Sequence, residues 1–439
     1  MTDLPPGYKM TELGPLPQEW QVAELGQVVE FTGRRGLSPY RATVPFIPMT
    51  LVPTGPLAVT EWELRTPEEV RSGVPVRDGD VLLAKITPCL ENGKQGIVRG
   101  LPGGWGYAST EIYAMHPNPS MLAEFLALYL KLPAVREDLA GKMQGTTGRQ
   151  RLPKDALIAL PIPLPPLPEQ RAIAHVLRTV QDAIEATERV IAATKELKRS
   201  LMRHLFTYGP VPVQEADRVP LKDTEIGPVP QHWAVVPLGD VVVGTQYGLS
   251  RRGQSAGEYP ILRMNNLEEG SVRTDDLQYV DLPEDEYRKY SLTSGDILFN
   301  RTNSYELVGK TALFESSEPF VFASYLVRVV PDHSKLLPRY LNFYLNSEAV
   351  QNRLRTLATR GASQSNISAT KLRSLIVGLP PLPEQRQSVE WLAAVDGKVR
   401  SERMRLQGLR TLFSSLLQNL MTGKVRVSEF APPEPQEAM

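Results

Sequence analysis

Arginine, lysine, asparagine and glutamine residues recur at matching places in the two halves of the chain. In the first half these residues are Arg34, Arg35, Lys85, Lys94, Arg149, Gln150 and Arg151. In the second half they are Arg251, Arg252, Arg263, Asn265, Asn266, Arg301, Asn303, Lys310, Gln364 and Asn366. A guanidinium fits the edge of guanine, a carboxamide fits adenine, and either cation can neutralise a phosphate. These residue types in loops predict surfaces that contact DNA.

The two sets agree in some places and diverge in others. Arg34-Arg35-Gly36 matches Arg251-Arg252-Gly253, and a contact that both halves share suits the uniform phosphate backbone. In contrast, the second half has Gly361-Ala-Ser-Gln-Ser-Asn366 where the first has Gly145-Thr-Thr-Gly-Arg-Gln150. Divergence at equivalent positions predicts that the two halves read different bases.

No residue cluster in the sequence matches a catalytic site. The amino-methyltransferase signature of Asn or Asp followed by two prolines and an aromatic residue does not occur, and neither does a phosphate-binding Walker loop. The five histidines lack the spacing of metal ligands, and the single cysteine, Cys89, has no activating partner in the sequence. We therefore predict a chain without catalytic residues, metal or cofactor of its own.

The composition is that of an ordinary globular protein. The 439 residues include 49 basic and 49 acidic residues, so the net charge is zero. This balance argues against a protein that coats nucleic acid unaided, because phosphate binding depends on clustered cations. The lone cysteine, the absence of an apolar signal core and the absence of a membrane-length apolar run together predict a cytoplasmic protein.

The chain consists of two copies of one unit of about 215 residues. The octapeptide LPPLPEQR occupies residues 164–171 and returns, letter for letter, at residues 379–386. Lys9–Trp20 returns as Lys222–Trp233 with eight of twelve residues identical. Because the shared segments lie at the ends of each unit, the middles are free to diverge.

Each unit is predicted to hold a mixed α/β head followed by a long helix. In the first unit, the predicted elements are strands at 22–31, 81–86 and 111–115 and a helix at 121–139. In the second unit, they are strands at 235–243, 296–300 and 320–330 and a helix at 338–357. We refer to residues 1–163 as head one and to residues 209–378, which include a proline-rich linker, as head two.

A helix of about 40 residues is predicted after each octapeptide. Pro168 and Pro383 suit the first helical position, and Glu169 and Glu384 suit the first turn. An apolar stripe with coiled-coil spacing follows in each copy, and the two stripes are offset by exactly one repeat, including a shared discontinuity. The first stripe is Ile173, Leu177, Val180, Ile184, Thr187, Ile191, Thr194, Leu197, Leu201 and Leu205, and the second is Leu392, Val395, Val399, Glu402, Leu406, Leu409, Leu412, Leu416 and Leu420.

These stripes favour a pair of helices that pack on each other as a coiled coil, over an ordinary core helix or a proline-rich adaptor ligand. Repeated units related by a two-fold axis would make the helices antiparallel. The chain's N-terminus would then lie near the end of the second helix, around Thr422. The predicted helices are residues 164–208 and 379–425, and residues 426–439, rich in Pro and Glu, are predicted to be a disordered tail.

The residues resemble those of the specificity (S) subunits of type I restriction-modification systems. The resemblance is carried by the duplicated octapeptide before a long helix, by Thr224–Trp233, by Gly295–Asn303 with Leu307–Phe314, and by Gly361–Ser368. It extends over about residues 9 to 425. The first unit departs from this pattern where Lys85 and Gln150 replace the residues of the second unit.

The resemblance implies two target-recognition domains and an antiparallel two-helix spacer that together read a bipartite, asymmetric DNA site with a fixed gap. It also implies that two modification (methyltransferase) subunits dock on the chain, and that restriction (translocase and nuclease) subunits join them. S-adenosylmethionine, ATP and Mg would be bound by those partners. The docking residues it suggests are Pro168, Glu169, Arg171, Pro383, Glu384 and Arg386. The alternatives are a recognition chain of a related restriction enzyme, an enzyme fusion, and a coiled-coil scaffold that binds no DNA.

Overall fold

The computed structural model describes residues 4–31, 42–70, 72–146, 148–361 and 364–427. The chain divides into two compact units, of which unit 1 is Met1–Arg189 with Met404–Met439 and unit 2 is Val190–Arg403. Each unit therefore contains one head and a part of both long helices. This division cuts across the helices, whereas the boundaries predicted at residues 163, 208, 378 and 425 follow the repeat and stay predictions.

Head one is built from short strands and four short helices. The strands are β1 Tyr8–Thr11, β2 Gly14–Pro17, β3 Gln21–Glu24, β4 Val29–Phe31, β5 Val44–Ile47, β6 Ala58–Val59, β7 Glu63–Arg65, β8 Val74–Arg77, β9 Val81–Ala84, β10 Gln95–Val98, β11 Trp105–Ala108, β12 Ile112–Pro117, β13 Gln144–Thr146, β14 Arg149–Arg151 and β15 Pro161–Leu164. The helices are α1 Leu25–Val28, α2 Ala123–Tyr129, α3 Pro133–Gly141 and α4 Lys154–Ile158, and the long helix α5 Leu167–Tyr208 follows.

The central strand of head one is buried on both faces. It is β9, in the sheet of order β4-β12-β9-β10-β6, and its sequence Val-Leu-Leu-Ala has no polar residue. Val81 and Leu83 join the core under α2, while Leu82 joins a second core that includes Val98. Continuous apolar sequence is expected where both faces of a strand are covered.

Head two repeats this plan. Its strands are β16 Leu221–Lys222, β17 Val229–Pro230, β18 Ala234–Pro237, β19 Val242–Tyr247, β20 Tyr259–Leu262, β21 Leu267–Glu268, β22 Gly270–Val272, β23 Gln278–Val280, β24 Ile297–Asn300, β25 Thr302–Asn303, β26 Thr311–Leu313, β27 Val321–Phe322, β28 Leu326–Pro331, β29 Thr359–Arg360, β30 Ser365–Asn366 and β31 Ile376–Leu379. Its helices are α6 Glu284–Tyr290, α7 Pro338–Leu345, α8 Glu348–Leu357 and α9 Ala369–Arg373, and the long helix α10 Leu382–Met421 follows. The central strand is β24, in the sheet of order β19-β28-β24-β26-β22-β21, and all four of its residues are buried.

Several predicted elements are wrong in extent. The helix predicted at 121–139 is two helices, because Pro133 begins α3 and holds Leu132 in an extended conformation. The helix predicted at 338–357 breaks likewise at Ser347, which is extended and precedes α8. The predicted strand at 22–31 is interrupted by the single turn α1, and that at 235–243 by the short 3-10 helix Leu238–Asp240. The predicted strand at 320–330 is two strands, β27 and β28.

The two long helices run antiparallel, as each unit shows by itself. In unit 1, Ile173 and Leu177 near the start of α5 share a core with Leu417 and Leu420 near the end of α10. In unit 2, the relation is reversed, since Leu205 near the end of α5 packs with Leu392 near the start of α10. Ion pairs join the helices in both units, between Glu188 and Arg410 and between Lys198 and Asp396, each at 2.6 Å.

The predicted stripes lie mainly at these helix contacts. One position, equivalent in the two copies, is instead exposed. Thr187 and Glu402, which are equivalent in the repeat, are both buried polar residues. Leu197 and Leu412, which are also equivalent, are 58% and 46% exposed. The stripe therefore predicts the packing of both helices except at one position, and the same position fails in each copy.

The N-terminus lies where the antiparallel arrangement predicts. The Tyr8 hydroxyl donates to the carbonyl oxygen of Gly423, just after α10, at 2.6 Å. The linker after α5 begins with Gly209 at φ +79° and contains the 3-10 helix Val213–Arg218. The predicted disordered tail falls almost wholly on residues 428–439, outside the described part of the chain. Along the described residues, no helix combines the length and apolarity needed to cross a bilayer.

Candidate nucleic-acid interface

In head two, the end of the buried strand β24 carries Arg301 to a small three-stranded sheet. This sheet has the order β25-β30-β29 and pairs Thr302 with Asn366. The backbone of Arg301 is fixed on both sides, because its N–H donates to the Tyr325 carbonyl at 3.0 Å and its carbonyl accepts from Ile367 at 2.9 Å. A rigid core strand thus delivers one arginine to the edge of the head.

The side chain of Arg301 is held by neutral groups. Its Nη2 donates to Oδ1 of Asn366 at 3.2 Å, and its Nη1 donates to the Ser324 carbonyl at 3.4 Å. The guanidinium carbon lies 4.9 Å from the ring centre of Tyr247. Asn366 is fixed in turn, because its Nδ2 donates to Oγ1 of Thr302 at 2.7 Å.

Head one has the same backbone frame with different side chains. The N–H of Lys85 donates to the Glu111 carbonyl at 3.0 Å, and its carbonyl accepts from Leu152 at 2.8 Å. Lys85 therefore occupies the place of Arg301, and Glu111 the place of Tyr325. The residue before Leu152 is Arg151, so Arg151 and not Gln150 is the counterpart of Asn366, and the sequence alignment of these loops was shifted by one residue.

At this place of head one, Glu111 offsets the charge of Arg151. Arg151 donates Nε and Nη2 to the two carboxylate oxygens of Glu111, at 2.9 and 2.8 Å. The hydrogen bond from Arg151 lowers the pKa of Glu111, so the pair stays ionised at neutral pH. Lys85 lies with its Nζ 5.1 Å from the ring centre of Tyr113. Arg149 is exposed beside this group, and Gln150 accepts from the N–H of Thr87 through its carbonyl oxygen.

Three further candidates of head two, Arg251, Arg263 and Asn265, lie around the sheet that contains β20 and β23. Arg251 pairs with Glu286 at 2.6 Å, and Arg263 pairs with Asp276 at 3.1 Å. Asn265 donates to the same Asp276 carboxylate at 2.7 Å. These acids offset much of the positive charge that the sequence suggests for this part of head two.

Other predicted contacts are placed singly. Asn266 is buried and its amide donates to the carbonyls of Arg273 and Asp276, so it fixes a turn. Arg252 and Gln364 are exposed, and Lys310 precedes β26. The Oδ1 of Asn303 accepts a hydrogen bond from the N–H of Ser304. In head one, Lys94 donates to the Met49 carbonyl at 2.6 Å. Arg34 and Arg35 lie outside the described residues. The DNA contacts of all these side chains stay predictions.

Sequence reasoning missed three residues of this surface. Tyr247 and Tyr325 are 43% and 47% exposed, which is unusual for aromatic side chains beside a core strand. Glu111 replaces Tyr325 in head one. Because both positions immediately precede an equivalent strand, a position-by-position comparison of the two repeats, extended beyond the basic loops, could have found this substitution.

The two octapeptides form equivalent joints at the foot of the heads. We call the joint of Trp20, residues 164–171 and the end of α10 base one, and the joint of Trp233, residues 379–386 and the end of α5 base two. The burial of the eight residues is the same in both, with the second proline of the pair, the third proline and the final arginine exposed. The buried glutamines, Gln170 and Gln385, each make three hydrogen bonds to backbone groups. These partners are Leu122, Ser120 and Pro165 in base one and Leu337, Lys335 and Pro380 in base two.

The glutamate of each octapeptide is used inside its base. Glu169 accepts from the Trp20 indole at 2.8 Å and from Arg426, beyond α10, at 2.7 Å. Glu384 accepts from the Trp233 indole at 2.9 Å and contacts the His232 ring at 2.7 Å. Of the residues predicted to dock partners, the exposed ones are thus Pro168, Arg171, Pro383 and Arg386, while Glu169 and Glu384 are half-buried. Partner docking stays a prediction for all six.

Within the described residues, no group of three or more His, Cys, Asp or Glu side chains could hold a metal ion. A groove of about 780 Å³ lies in unit 2, and the residues that line it include Met202, Phe206, Ile226, Arg353 and Arg355. It contains no pair of groups suited to acid–base or nucleophilic chemistry.

Comparison with known proteins gives a consistent result. The family model of the type I restriction modification DNA specificity domain matches twice, at residues 17–195 and 230–411. The MjaVIII type I specificity subunit of Methanocaldococcus jannaschii is 26% identical over 429 residues, covering 94% of each chain. The MjaX specificity subunit of the same organism is 31% identical over 204 residues, but these cover only 46% of this chain and 48% of that protein. The EcoKI specificity subunit of Escherichia coli K12 is 25% identical and covers 71% of this chain and 67% of its own length.

Solved structures support the fold. A chain from a study of complex assembly and conformational transition in a type I R-M system has a TM-score of 0.58 at 20% identity, covering 93% of this chain and 99% of that one. The S subunit of a type I restriction-modification system from M. genitalium has a TM-score of 0.55 at 14% identity, with coverage of 92% and 96%. The predicted fold class, two mixed α/β heads with an antiparallel two-helix coiled coil, is confirmed.

Proposed function

Because the chain belongs to the family of type I restriction-modification DNA specificity subunits, we propose that its two heads read the two different halves of a bipartite DNA site with a fixed gap. We propose further that its two bases each dock one methyltransferase subunit. The family membership confirms the expected resemblance. It also means that the chain is a DNA-recognition subunit and that catalysis belongs to other subunits.

One observation carries the proposal: the bases are the same and the tips of the heads are not. Each base presents the same exposed residues and buries the same glutamine. At the tips, Lys85, Glu111 and Arg151 stand where Arg301, Tyr325 and Asn366 stand in head two. Two identical partners need two identical surfaces, whereas an asymmetric DNA site needs two different ones.

The exposed face of the long helices supports docking. Leu197 and Leu412 are large apolar residues that face solvent at equivalent positions of the repeat. Together with Arg171 and Arg386, they give each partner one cation and one apolar contact on the same helix pair. Burial of these side chains against a partner would remove their apolar surface from water.

The spacer would set the gap between the half-sites. The helices α5 and α10 contain 42 and 40 residues, and at ~1.5 Å per residue each is ~60 Å long. One turn of B-DNA is roughly 34–36 Å, so a rod of this length can span more than one turn. S-adenosylmethionine would be bound by the docked methyltransferases, and ATP and Mg by restriction subunits. The compartment that fits this role is the cytoplasm.

Docking can be tested by counting partners. The full chain is co-purified with its methyltransferase subunit, and the ratio is measured by native mass spectrometry. We expect two methyltransferases per chain, one after Arg171→Glu or Arg386→Glu, and none after both. The matched control is Arg178→Glu, which reverses the charge of another exposed arginine on α5. Loss of both partners through a single substitution, or full occupancy in the double variant, would contradict two independent bases.

The DNA site can be tested by mapping methylated positions. Genome-wide methylation sequencing of cells that express the complex should give one motif with two unlike halves and a constant gap. A single continuous motif would refute the division of reading between heads. A chain that binds the methyltransferase but confers no sequence preference would refute DNA reading itself.

A further inference from the structure

Arg301 differs from Arg251 and Arg263 in the groups that surround its guanidinium. No ion pair of the described residues involves Arg301, whereas Arg251 and Arg263 each contact a carboxylate. Its charge is therefore not offset by an acid. It is also not a free surface side chain, because Asn366, Ser324 and the Tyr247 ring fix its guanidinium.

A count of hydrogens shows what remains available. A guanidinium has five N–H groups, two on each Nη and one on Nε. One hydrogen of Nη1 is directed to Ser324 and one of Nη2 to Asn366, while Nε is buried without a partner. One hydrogen thus remains on each Nη. Two donors in one plane are what the O6 and N7 acceptors of guanine require.

Both ends of the Asn366 amide already bond to groups of the protein. Reading adenine requires the amide oxygen and the amide nitrogen together. In head two, Oδ1 accepts from Arg301 and Nδ2 donates to Thr302. Tyr247 is also anchored, because its hydroxyl accepts from the N–H of Ala369 at 2.9 Å. Both side chains serve to hold the arginine in one orientation.

We propose that Arg301 reads a guanine in the half-site of head two, and that Asn366 and Tyr247 are positioning residues for its guanidinium. The proposal rests on DNA reading by head two and specifies the base and the atoms. It replaces the expectation that Asn366 contacts a base directly. Head one lacks this device, because the residue in place of Arg301 is Lys85 and the neighbouring arginine, Arg151, is paired with Glu111.

The test uses the full chain in complex with its methyltransferase subunits and a duplex with the mapped site. Each guanine of the head-two half-site is replaced in turn by 7-deazaguanine, which keeps O6 but lacks the N7 acceptor. For the wild-type complex, we expect one position at which this replacement weakens binding roughly 10-fold or more. For Arg301→Met, which removes every donor at a similar side-chain length, binding to the normal site should weaken by at least the same factor and the replacement should have no further effect.

The positioning residues give a distinct result. Asn366→Ala and Tyr247→Ala should reduce discrimination at that same guanine by a smaller factor, and Tyr247→Phe, which keeps the ring, should recover most of it. Arg339→Ala removes a comparable exposed arginine, paired with Glu315, and should leave discrimination at this guanine intact. Complex formation by each variant shows that it is folded.

Two results would overturn the proposal. If Arg301→Met keeps full sensitivity to 7-deazaguanine, Arg301 does not read that base. If Asn366→Ala relaxes an adenine at another position, Asn366 is a base reader rather than a positioning residue. A wild-type complex that does not distinguish its site from unrelated DNA would instead refute the proposed function, and so the two failures can be told apart.

Discussion

The two bases of this protein are alike, whereas the tips of its two heads differ. At the bases, the glutamines of two segments 215 residues apart make equivalent hydrogen bonds to the backbone. At the tips, the backbone frame is equivalent. In head one it carries an arginine paired with a glutamate, and in head two it carries an arginine held by an amide and a tyrosine. The comparison shows that the backbone frame and the reading chemistry can vary independently.

The reason is visible in the hydrogen bonds. The positions of Lys85 and Arg301 are fixed by backbone groups, which do not depend on side-chain identity. The bases are fixed by side chains, namely a tryptophan, a glutamate and a glutamine, and few other residues could make the same contacts. Substitution is therefore tolerated at the tips and disruptive at the bases.

The largest expected effect is on the tryptophans of the bases. Trp20 and Trp233 are 0% and 1% exposed, so truncation to alanine leaves a cavity and removes one hydrogen bond of the glutamate. We expect Trp20→Ala and Trp233→Ala each to lower the free energy of unfolding by about 3–5 kcal/mol, as measured by chemical denaturation. If one of the two were silent, the equivalence of the bases would be lost.

A second prediction concerns the pH dependence of the free energy of unfolding, to which the two heads should contribute differently. Burial lowers the pKa of Lys131 in head one to about 8, whereas the equivalent residue in head two is Asn346. Between about pH 8 and pH 10.5, the unfolded chain holds a proton on Lys131 that the folded chain has lost. Stability should therefore rise with pH in this range, by on the order of 1 kcal/mol per pH unit.

The measurement compares the wild-type chain with Lys131→Met. The difference in unfolding free energy between the two should change across this range, because all other groups titrate alike in both. For Asn346→Met, the corresponding difference should be independent of pH. A constant difference for Lys131→Met would mean that the amine is not desolvated.

The cancellation of charge in head one gives a third prediction. Glu111→Gln should release the Arg151 guanidinium, so that it can contact a phosphate. The plot of log binding constant against log salt concentration for non-specific DNA should then steepen by up to about one unit. Tyr325→Gln, at the equivalent position of head two, should leave this slope unchanged. An equal response of both heads would contradict the assigned charge difference.

The smallest effect is expected at Glu269, which connects head two to both long helices. It contacts Lys195 on α5 at 2.7 Å and Arg403 on α10 at 2.6 Å. Among the described residues, it is the one non-glycine residue with a positive φ, 48°. Burial alone would raise its pKa, but the hydrogen bonds from Lys195 and Arg403 bring it below the usual value.

The stabilisation from Glu269 is thus present above the ordinary glutamate pKa and is lost as the pH falls through the lowered one. Because the side chain is half exposed, Glu269→Gln should cost less than about 1 kcal/mol at neutral pH. High salt should reduce this difference in denaturation experiments. A cost that is independent of salt and pH would assign the effect to packing.

The sequence predicted the parts of the fold that repeat. The duplicated octapeptide predicted the helix starts near Leu167 and Leu382, because these depend on local spacing. The antiparallel pairing followed from the assumed two-fold relation of the repeats. It did not predict the breaks at Leu132 and Ser347, where one residue in an extended conformation divides an apolar helical segment.

The candidate site could be predicted only in part. Residue type alone selected Asn266 together with Asn366, although Asn266 is buried in a turn and Asn366 is at the tip. The distinction depends on which acceptors are nearby in space, such as Asp276 and Thr302, and these come from distant segments. The partnership of Arg151 with Glu111, 40 residues apart, is of the same kind.

The central claim is that the bases are interchangeable and the heads alone carry the specificity. It is tested most directly by replacing residues 230–378 with residues 17–163, which gives a chain with two copies of head one while both octapeptides and both long helices stay unchanged. Methylation mapping of cells that express this chain with its methyltransferase should show a symmetric motif, made of the head-one half-site and its inverted copy with the same gap. A motif that still contained the original head-two half-site, or a complex that had lost one methyltransferase, would contradict the account.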